Sequence, residues 1–224
     1  MRLLAIDTCF GGCSAAVAAD GAILASAYRE LRTGHAEALV PMIGRVLDDA
    51  GLAPRDIDRI AVTQGPGTFA GMRIGLAAAE GLRMATAAVL VPVSSLWAIG
   101  QRVLAERRPD IGPRRLAVVV DAGRGQVYVE ILDGEGRSTG GPMLAAIDAV
   151  AGQLAGRPTA LAGSGARLLA KGEHAKVILD GIEPRAADFA RPASLFPEYP
   201  RPVRPLYFRP ADAVVQAPPA GLRA

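Results

Sequence analysis

The order of strands and helices that the sequence predicts occurs twice along this chain of 224 residues. In each half, a short apolar strand ends in an aspartate, glycines follow, and a second strand leads to an Asp-Gly turn. Asp7 precedes Asp20 by 13 residues, and Asp121 precedes Asp133 by 12. Asp-Gly between two apolar runs is a strong hairpin signal. Because internal duplication fixes the architecture, this repeat constrains the fold more than any other feature.

Apolar periodicity and turn residues predict the elements of the first half. The predicted elements are strands Arg2–Thr8, Cys13–Ala19 and Ala22–Arg29, helix His35–Ala50, strand Ile57–Gln64, helix Gly71–Ala87, strand Val89–Val93 and helix Ser94–Arg107. The next segment, Arg108–Arg115, carries two prolines and a cluster of charges and is interpreted as a linker.

The second half repeats this order at shorter length. Its predicted elements are strands Leu116–Val120 and Val127–Leu132, helix Leu144–Leu154, strand Thr159–Ala162, helix Ala166–Lys171, strand Ala175–Leu179 and a helix near Ala186–Leu195. The proline-rich tail Arg191–Pro210 is expected to run extended over the surface.

Strands that alternate with helices imply largely parallel sheets with helices on their faces, and the three-strand openings add antiparallel edges. We therefore predict an α/β fold of two βββαβαβα halves, the layout of actin-like and sugar-kinase ATPases, which is ribonuclease H-like. The expected subdomains are residues 1–110, which would carry partner docking, and residues 111–224, which are shorter and end in the tail.

Composition narrows the classes of function. The formal net charge of +3 is weak evidence for a nucleic-acid surface. The longest uncharged stretch, Met84–Gln101, contains Pro92 and is better interpreted as a strand and a helix than as a membrane span. The first residues do not resemble a signal peptide. Cys9 and Cys13 cannot form a four-ligand zinc site and are expected to be free thiols in a reducing compartment. We therefore expect a cytoplasmic protein without a membrane partner.

The stretch QGPGTFAGMRIG at residues 64–75 is rich in glycine and runs into a helix. Such turns often bind phosphate through backbone N–H groups. Its glycine spacing matches neither a Walker loop, which needs Gly-Lys-Ser/Thr, nor the G-x-G-x-x-G dinucleotide loop. A tight turn from strand to helix, with glycines in conformations closed to other residues, is the alternative interpretation, and we favour it.

An active ATPase of this fold would place acidic residues at strand ends beside the cleft, where they hold magnesium and orient water. Asp7, Thr8, Asp121 and Gly123 are the candidates for positions near a nucleotide. The stretch LAGSGA at 161–166 could form the adenosine-side turn. The alternative is that the strand-end aspartates only cap turns.

The sequence lacks the motifs of two other kinds of catalytic site, a histidine-based metal site and a serine nucleophile elbow. The two histidines, His35 and His174, are too far apart in sequence to form an H-E-x-x-H or H-x-x-x-H metal pair. His35 is most simply a residue of the first turn of a helix, and His174 a solvent-exposed turn residue. No G-x-S-x-G nucleophile elbow is present. We therefore predict no metal site and no protease site.

The helix that follows the glycine-rich stretch is apolar almost all round, with only Arg73, Glu80 and Arg83 charged. A helix of this kind is buried on more than one side. Gly71, Gly75 and Ala79 lie four residues apart and form a stripe of small residues that lets another backbone approach. We interpret the helix as a docking surface, although a purely internal core role is the alternative.

Six stretches resemble the bacterial TsaB family, the tRNA threonylcarbamoyladenosine biosynthesis proteins. They are LLAIDTC at 3–9, HAEALVPMI at 35–43, GPGTFAGMRIGLA at 65–77, PVSSL at 92–96, DAGRGQVY at 121–128 and PLYFRP at 205–210. The resemblance runs in order through most of residues 1–130 and then fades. Most residues that differ from the family pattern are similar in size to the usual ones. Gly123 is the exception: the family has arginine there, so the local surface charge differs.

The resemblance implies a non-catalytic subunit that supports threonylcarbamoyl transfer to the adenosine beside the anticodon of certain tRNAs. TsaD, a related subunit, would hold the metal and catalyse the transfer, and TsaE would act as a small ATPase. It also implies a homodimer when TsaD is absent, tRNA contact only through the complex, and no firmly bound cofactor, with ATP or ADP and magnesium possible in the complex.

The docking surface that the resemblance implies lies on the two helices of the first half. The expected interface residues are Leu39, Met42, Ile43, Val46, Met72, Arg73, Leu76, Glu80 and Arg83. On this basis, Leu76→Glu or Ile43→Glu is expected to abolish docking. Two alternatives stay open: a small actin-fold ATPase or kinase with its own substrate, and direct tRNA binding by scattered arginines, which would depend steeply on salt.

Overall fold

Each half of the chain folds around a five-stranded mixed sheet. The computed structural model describes residues 1–111, 115–170, 175–197 and 203–209, with the side chains of 107–111 left out. In the first half, the elements are strands β1 (Arg2–Asp7), β2 (Gly12–Ala19), β3 (Ala22–Glu30), β4 (Arg59–Thr63) and β5 (Val89–Val93), and helices α1 (His35–Asp49), α2 (Phe69–Thr86) and α3 (Ser95–Ile111). A short 3-10 turn, Pro54–Asp56, precedes β4.

The second half repeats the first in three dimensions. Its elements are strands β6 (Arg115–Gly123), β7 (Gln126–Leu132), β8 (Met143–Ala146), β9 (Thr159–Ala162) and β10 (Ala175–Leu179), and helices α4 (Ile147–Leu154), α5 (Ala166–Leu169) and α6 (Ala186–Ala193). The strand orders are β3-β2-β1-β4-β5 and β8-β7-β6-β9-β10, so corresponding strands occupy corresponding places. The predicted duplicated, actin-like α/β fold is confirmed.

The register places the two strand-end aspartates at equivalent points. β1 pairs antiparallel with β2 and parallel with β4, and Asp7 lies opposite Ser14. β6 pairs antiparallel with β7 and parallel with β9, and Asp121 lies opposite Val127. Each aspartate therefore lies at the carboxyl end of the central strand of its sheet, at the edge where ligands bind in open α/β sheets.

Three predicted boundaries are wrong. Residues Leu144–Ala146 belong to β8 rather than to a helix, because they pair with β7 and α4 begins only at Ile147. The predicted linker is mostly secondary structure, since α3 continues to Ile111 and β6 begins at Arg115; residues 112–114 lie outside the described residues. The tail is not extended from its start, because α6 reaches Ala193.

Two helices interlock the halves. Helix α3 leaves the first sheet and packs on β6 and β7 of the second, while α6, near the end of the chain, packs back on β1, β2 and β3. The largest buried cluster therefore draws on both sheets and includes Leu3 and Ala16 from the first, Val118 from the second, and Phe189 from α6. Separate clusters fill the outer face of each sheet. The predicted boundary between subdomains at 110 and 111 stays a prediction.

Candidate functional site

Asp7 lies at the end of β1 and is fully buried. Its Oδ1 accepts hydrogen bonds from the Thr63 hydroxyl at 2.6 Å and from the Cys9 amide at 3.3 Å, and its Oδ2 has no partner among the described residues. Burial raises the pKa of the Asp7 carboxyl from 3.8 to about 7, although the two hydrogen bonds lower it. The carboxyl that a metal-dependent ATPase would present to its cleft is closed off from solvent here.

Thr8 and the glycines of α2 form a close contact between β1 and the helix. The Thr8 hydroxyl donates to the carbonyl oxygen of Gly71 at 2.7 Å. A Cβ added at Gly71 would overlap the Thr8 carbonyl oxygen, and one at Gly75 would lie 2.6 Å from the Thr8 hydroxyl. The small-residue stripe does admit a backbone, as expected, but the backbone is that of this chain and not of a partner.

The glycine-rich stretch is a turn fastened to its neighbours. The Thr68 amide donates to the carbonyl oxygen of Cys9 at 2.7 Å, and the Thr68 hydroxyl caps α2 by accepting from the Gly71 amide at 3.1 Å. The Ser95 amide donates to the carbonyl oxygen of Gly65 at 2.9 Å. A Cβ at Gly67 would overlap Cys9. These contacts fit the interpretation as a strand-to-helix turn, with its glycines needed for close approach.

A carboxylate occupies the glycine turn between β1 and β2. The Gly11 amide, which in an ATPase of this fold would face a phosphate, donates to Glu183 Oε1 at 3.1 Å. An added Cβ at Gly11 would lie 2.9 Å from the same oxygen. Glu183 follows β10, 172 residues away in sequence. The sequence analysis did not identify Glu183, because no local sequence pattern marks a contact between residues so far apart in the chain.

The equivalent turn of the second half is open to solvent. Asp121 and Gly123 are exposed, and the Gly123 amide donates to Asp121 Oδ1 at 2.7 Å. An aspartate that accepts from the amide two residues later forms an Asx turn. Gly163 of the predicted adenosine-side turn has a φ of 99° and is pressed against β6, since a Cβ there would overlap the Val119 carbonyl oxygen. The capping alternative therefore fits Asp121.

Residues 203–209, the C-terminal strap, cross from the first half to the second. The Leu206 amide donates to the carbonyl oxygen of Gln64 at 2.8 Å. At the far end, Arg209 donates to the carbonyl oxygens of Ala122 at 2.7 Å and Gly123 at 3.3 Å, and to Gln126 Oε1 at 2.6 Å. The strap thus joins the glycine-rich turn after β4 to the turn after β6.

Most residues predicted to contact a partner are buried inside this chain. The buried ones are Leu39, Ile43, Val46, Met72 and Leu76. Leu39, Ile43, Val46 and Leu76 belong to the cluster packed on the first sheet, so Leu76→Glu or Ile43→Glu would disrupt the core before testing docking. Met42 and Glu80 are partly exposed, and Arg73 and Arg83 are exposed. Five of the nine predicted interface residues are therefore buried within this chain, and the predicted interface itself stays a prediction.

The outer sides of α1 and α2 form a different surface, which we call the α1/α2 face. Val40 is 65% exposed and Met84 is 80% exposed. The α1/α2 face comprises Val40, Pro41 and Gly44 of α1 and Arg73, Ala77, Gly81 and Met84 of α2, all exposed. α1 contacts α2, and the named residues of this face are apolar apart from Arg73, with Glu37, Arg45 and Asp48 exposed next to them on α1. Exposed apolar patches of this kind mark interaction sites.

No group of three or more metal-ligating side chains occurs among the described residues. His35 Nε2 lies 3.1 Å from the carbonyl oxygen of Phe10, which ties the start of α1 to the turn after β1. His174 lies outside the described residues. Cys9 and Cys13 are buried and unpaired, as expected. None of the helices in the described part of the chain is both long enough and apolar enough to cross a membrane.

Burial of Asp7 makes stability depend on pH. The unfolded carboxyl releases its proton near pH 3.8, whereas the folded one releases it near pH 7. The folded state therefore binds more protons in this range, and the free energy of unfolding falls as the pH rises, by about 4 kcal/mol across the window. In Asp7→Asn, we expect this part of the slope to disappear and stability at pH 8 to rise above that of the wild type.

Urea denaturation at pH 5 and pH 8 measures this effect. Burial also raises the pKa of Glu130 and of Asp188, so the wild-type slope contains their contributions. The difference between the wild type and Asp7→Asn isolates Asp7. Parallel pH profiles for the two proteins would show that Asp7 is ionised in the folded state at pH 5.

Comparison with known proteins identifies relatives of this chain. The model of the family described as "TsaD: tRNA N6-adenosine threonylcarbamoyltransferase" matches residues 29–186. The TsaB protein of Escherichia coli, a tRNA threonylcarbamoyladenosine biosynthesis protein, is 35% identical over 129 residues, which cover 57% of this chain and 53% of that protein. The chain therefore spans about half the length of the curated TsaB relatives it matches.

Other relatives match along nearly the whole chain. An uncharacterized protein of Mycobacterium tuberculosis is 33% identical over 220 residues, covering 94% of this chain and 93% of its own. A solved structure from Pseudomonas aeruginosa, an uncharacterized protein with similarity to peptidase YeaZ, is 30% identical with a TM-score of 0.76, covering 93% of this chain and 99% of its own. A second solved structure, YeaZ from the same organism, is 32% identical with a TM-score of 0.75. The match covers 86% of this chain and 90% of that one.

Proposed function

The chain belongs to the TsaB family, and we propose that it is a non-catalytic subunit required for threonylcarbamoyl transfer to the adenosine next to the anticodon of tRNAs. In this proposal, a TsaD-type subunit holds the metal and performs the transfer. This chain supplies a docking surface and supports the active shape of its partner.

The observation that carries the proposal is the closed turn after β1. Asp7 is buried, and the Gly11 amide is taken by the Glu183 carboxylate. An ATPase of this fold needs an exposed strand-end carboxylate for magnesium and free backbone N–H groups for phosphate. A carboxylate already bound at that amide opposes an anion by charge as well as by position. The turn therefore supports a structural role over ATP chemistry.

The docking part of the proposal rests on the α1/α2 face. The TsaD family model matches this chain over residues 29–186, which include both helices. A TsaD-type partner would therefore offer a similar helix pair, and two apolar helix faces can pack into a bundle. Without that partner, a second copy of this chain would occupy the face, which is the homodimer that the resemblance to the TsaB family implies.

The remaining partners follow from the same proposal. A TsaE-type small ATPase joins the complex, tRNA is contacted only through the complex, and ATP or ADP with magnesium binds in the complex and not firmly to this chain. The alternative is a small actin-fold ATPase or kinase with its own substrate. It keeps one supporting feature, the exposed Asp121 turn, but lacks an accessible partner carboxylate at Asp7.

The first test mixes this protein with the TsaD-type subunit of the same organism and measures mass by light scattering after size separation. We expect a one-to-one complex that replaces the homodimer. In parallel, ATP turnover by this chain alone is expected to equal the rate of a no-protein control. Separate elution of the two proteins, with and without nucleotide, would contradict the docking proposal, and ATP turnover at an enzyme-like rate that is lost in Asp121→Ala would favour the alternative.

A further inference from the structure

The C-terminal strap touches the proposed docking surface. The Tyr207 ring stacks on the Phe69 ring with centroids 5.4 Å apart, at the first residue of α2. The Arg73 guanidinium lies 3.6 Å from the centroid of the Phe69 ring, and Arg73 Nε donates to the Tyr207 hydroxyl at 2.8 Å. Phe69 is 46% exposed and Tyr207 is 45% exposed. Two aromatic rings and a guanidinium therefore form a stack at the surface.

The stack continues the α1/α2 face. Phe69, Arg73 and Ala77 follow one another at intervals of four residues, so they lie along one side of α2. Within the described part of the chain, Arg73 makes no ion pair, and its one hydrogen bond goes to Tyr207. Its outer N–H groups can therefore receive a carboxylate from another chain. Aromatic residues and arginine are the side chains most enriched at binding hot spots.

The other end of the strap is fastened to the second half. Arg209 donates to two carbonyl oxygens of the turn after β6 and to the Gln126 side chain. The Phe208 ring packs against Tyr128 of β7, with centroids 5.7 Å apart. Since Tyr207, Phe208 and Arg209 are consecutive, the anchor at Arg209 limits where Tyr207 can lie from one side, as the bond from the Leu206 amide to Gln64 does from the other.

We propose that the C-terminal strap is part of the docking surface, in which Phe69, Arg73 and Tyr207 contact the partner and Arg209 is the positioning residue that holds Tyr207 in place. This inference rests on the proposed function. Its occupant is the transferase subunit of that complex, whose family model matches this chain over both α1 and α2. Docking of the partner on the first half of the chain would then depend on the bonds that Arg209 makes to the second half.

Binding of the full-length variants to the TsaD-type subunit, measured by isothermal titration calorimetry, tests the inference. Tyr207→Ala and Arg209→Ala are each expected to weaken binding about tenfold. The double variant is expected to bind no more weakly than Tyr207→Ala, because both changes remove the same contact. Arg167→Ala, which removes an exposed arginine paired with Asp180 on the second half, is the control and is expected to bind like the wild type.

Hydrogen exchange at the Tyr207 amide supplies a second readout. If the strap only stabilised the fold, partner binding would not alter this exchange. Partner binding is expected to slow the exchange of the Tyr207 amide in the wild type and not in Arg209→Ala. Wild-type affinity for both strap variants would overturn the inference. Additive losses in the double variant would also overturn it, because Arg209 would then act independently of Tyr207.

A separate variant distinguishes failure of this inference from failure of the proposed function. Met84→Glu alters the α1/α2 face away from the strap. If Met84→Glu loses binding while both strap variants keep it, the strap inference is wrong and the proposed docking stands. If wild-type protein does not bind the partner at all, the proposed function fails, and the strap inference fails with it.

Discussion

Replacing Val40 and Met84 together by glutamate is expected to abolish docking to the TsaD-type subunit, with a loss in affinity of at least about 1,000-fold. Both side chains are largely exposed in this chain, at 65% and 80%, so the changes leave its core intact. In the complex, each would place a carboxylate in an apolar contact between helices. Burial of an unpaired charge costs several kcal/mol, and two such groups exceed what most interfaces tolerate.

The matched control is Leu195→Glu. Leu195 is 85% exposed and follows α6, the helix that packs on α3 and on β1, β2 and β3. Leu195→Glu also replaces an exposed apolar side chain by glutamate, but on a different surface. It is expected to leave the affinity for the TsaD-type subunit unchanged. Titration calorimetry measures both variants, and circular dichroism verifies that they are folded. If the double variant bound as tightly as the control, the α1/α2 face could not be the docking surface.

Replacing Gly71 by alanine is expected to lower the free energy of unfolding by about 3 kcal/mol, as overpacking in a close-packed interior does. The new Cβ would overlap the backbone carbonyl oxygen of Thr8 and lie 2.6 Å from the Thr68 hydroxyl. Because Thr8 directly follows the central strand β1, the helix must move rather than the strand. That movement breaks the bond from the Thr8 hydroxyl to the Gly71 carbonyl oxygen.

The same substitution at Gly81 serves as the control. Gly81 lies in the same helix, and a Cβ there would meet no atom within 4 Å. Alanine is a better helix former than glycine, so Gly81→Ala is expected to stabilise the protein by about 0.5–1 kcal/mol. Guanidinium denaturation measures both variants. Equal stabilities for Gly71→Ala and Gly81→Ala would show that α2 can move away from Thr8 without loss.

The duplicated architecture could be predicted because its signals are local. An aspartate after an apolar strand and an Asp-Gly pair a fixed distance on mark the same strand pair twice, at Asp7 and at Asp121. The predicted start of a helix at Leu144 was wrong because the local signal there is ambiguous. A short apolar run such as Met143–Ala146 fits a strand or a helix equally well, and pairing with β7 decided it.

The site was harder to predict, because it depends on what covers each residue. The spacing of Leu39, Ile43 and Val46 correctly marked one apolar side of α1. It could not tell whether the first sheet or a partner covers that side, and the sheet does. Glu183 at the Gly11 amide and Arg209 at the turn after β6 act across 172 and 87 residues. Contacts of that range leave no pattern in a single sequence.

The exchange of helices between the sheets has a consequence for synthesis on the ribosome. The inner face of the first sheet, with Leu3 and Ala16, is covered by Phe189 and Ala190 of α6. Those residues are translated some 170 positions later, a delay on the order of ten seconds. Until then, the first-made half of the nascent chain exposes the apolar residues of this sheet face that α6 later covers. The last helix in the described part of the chain therefore completes the first sheet to be made.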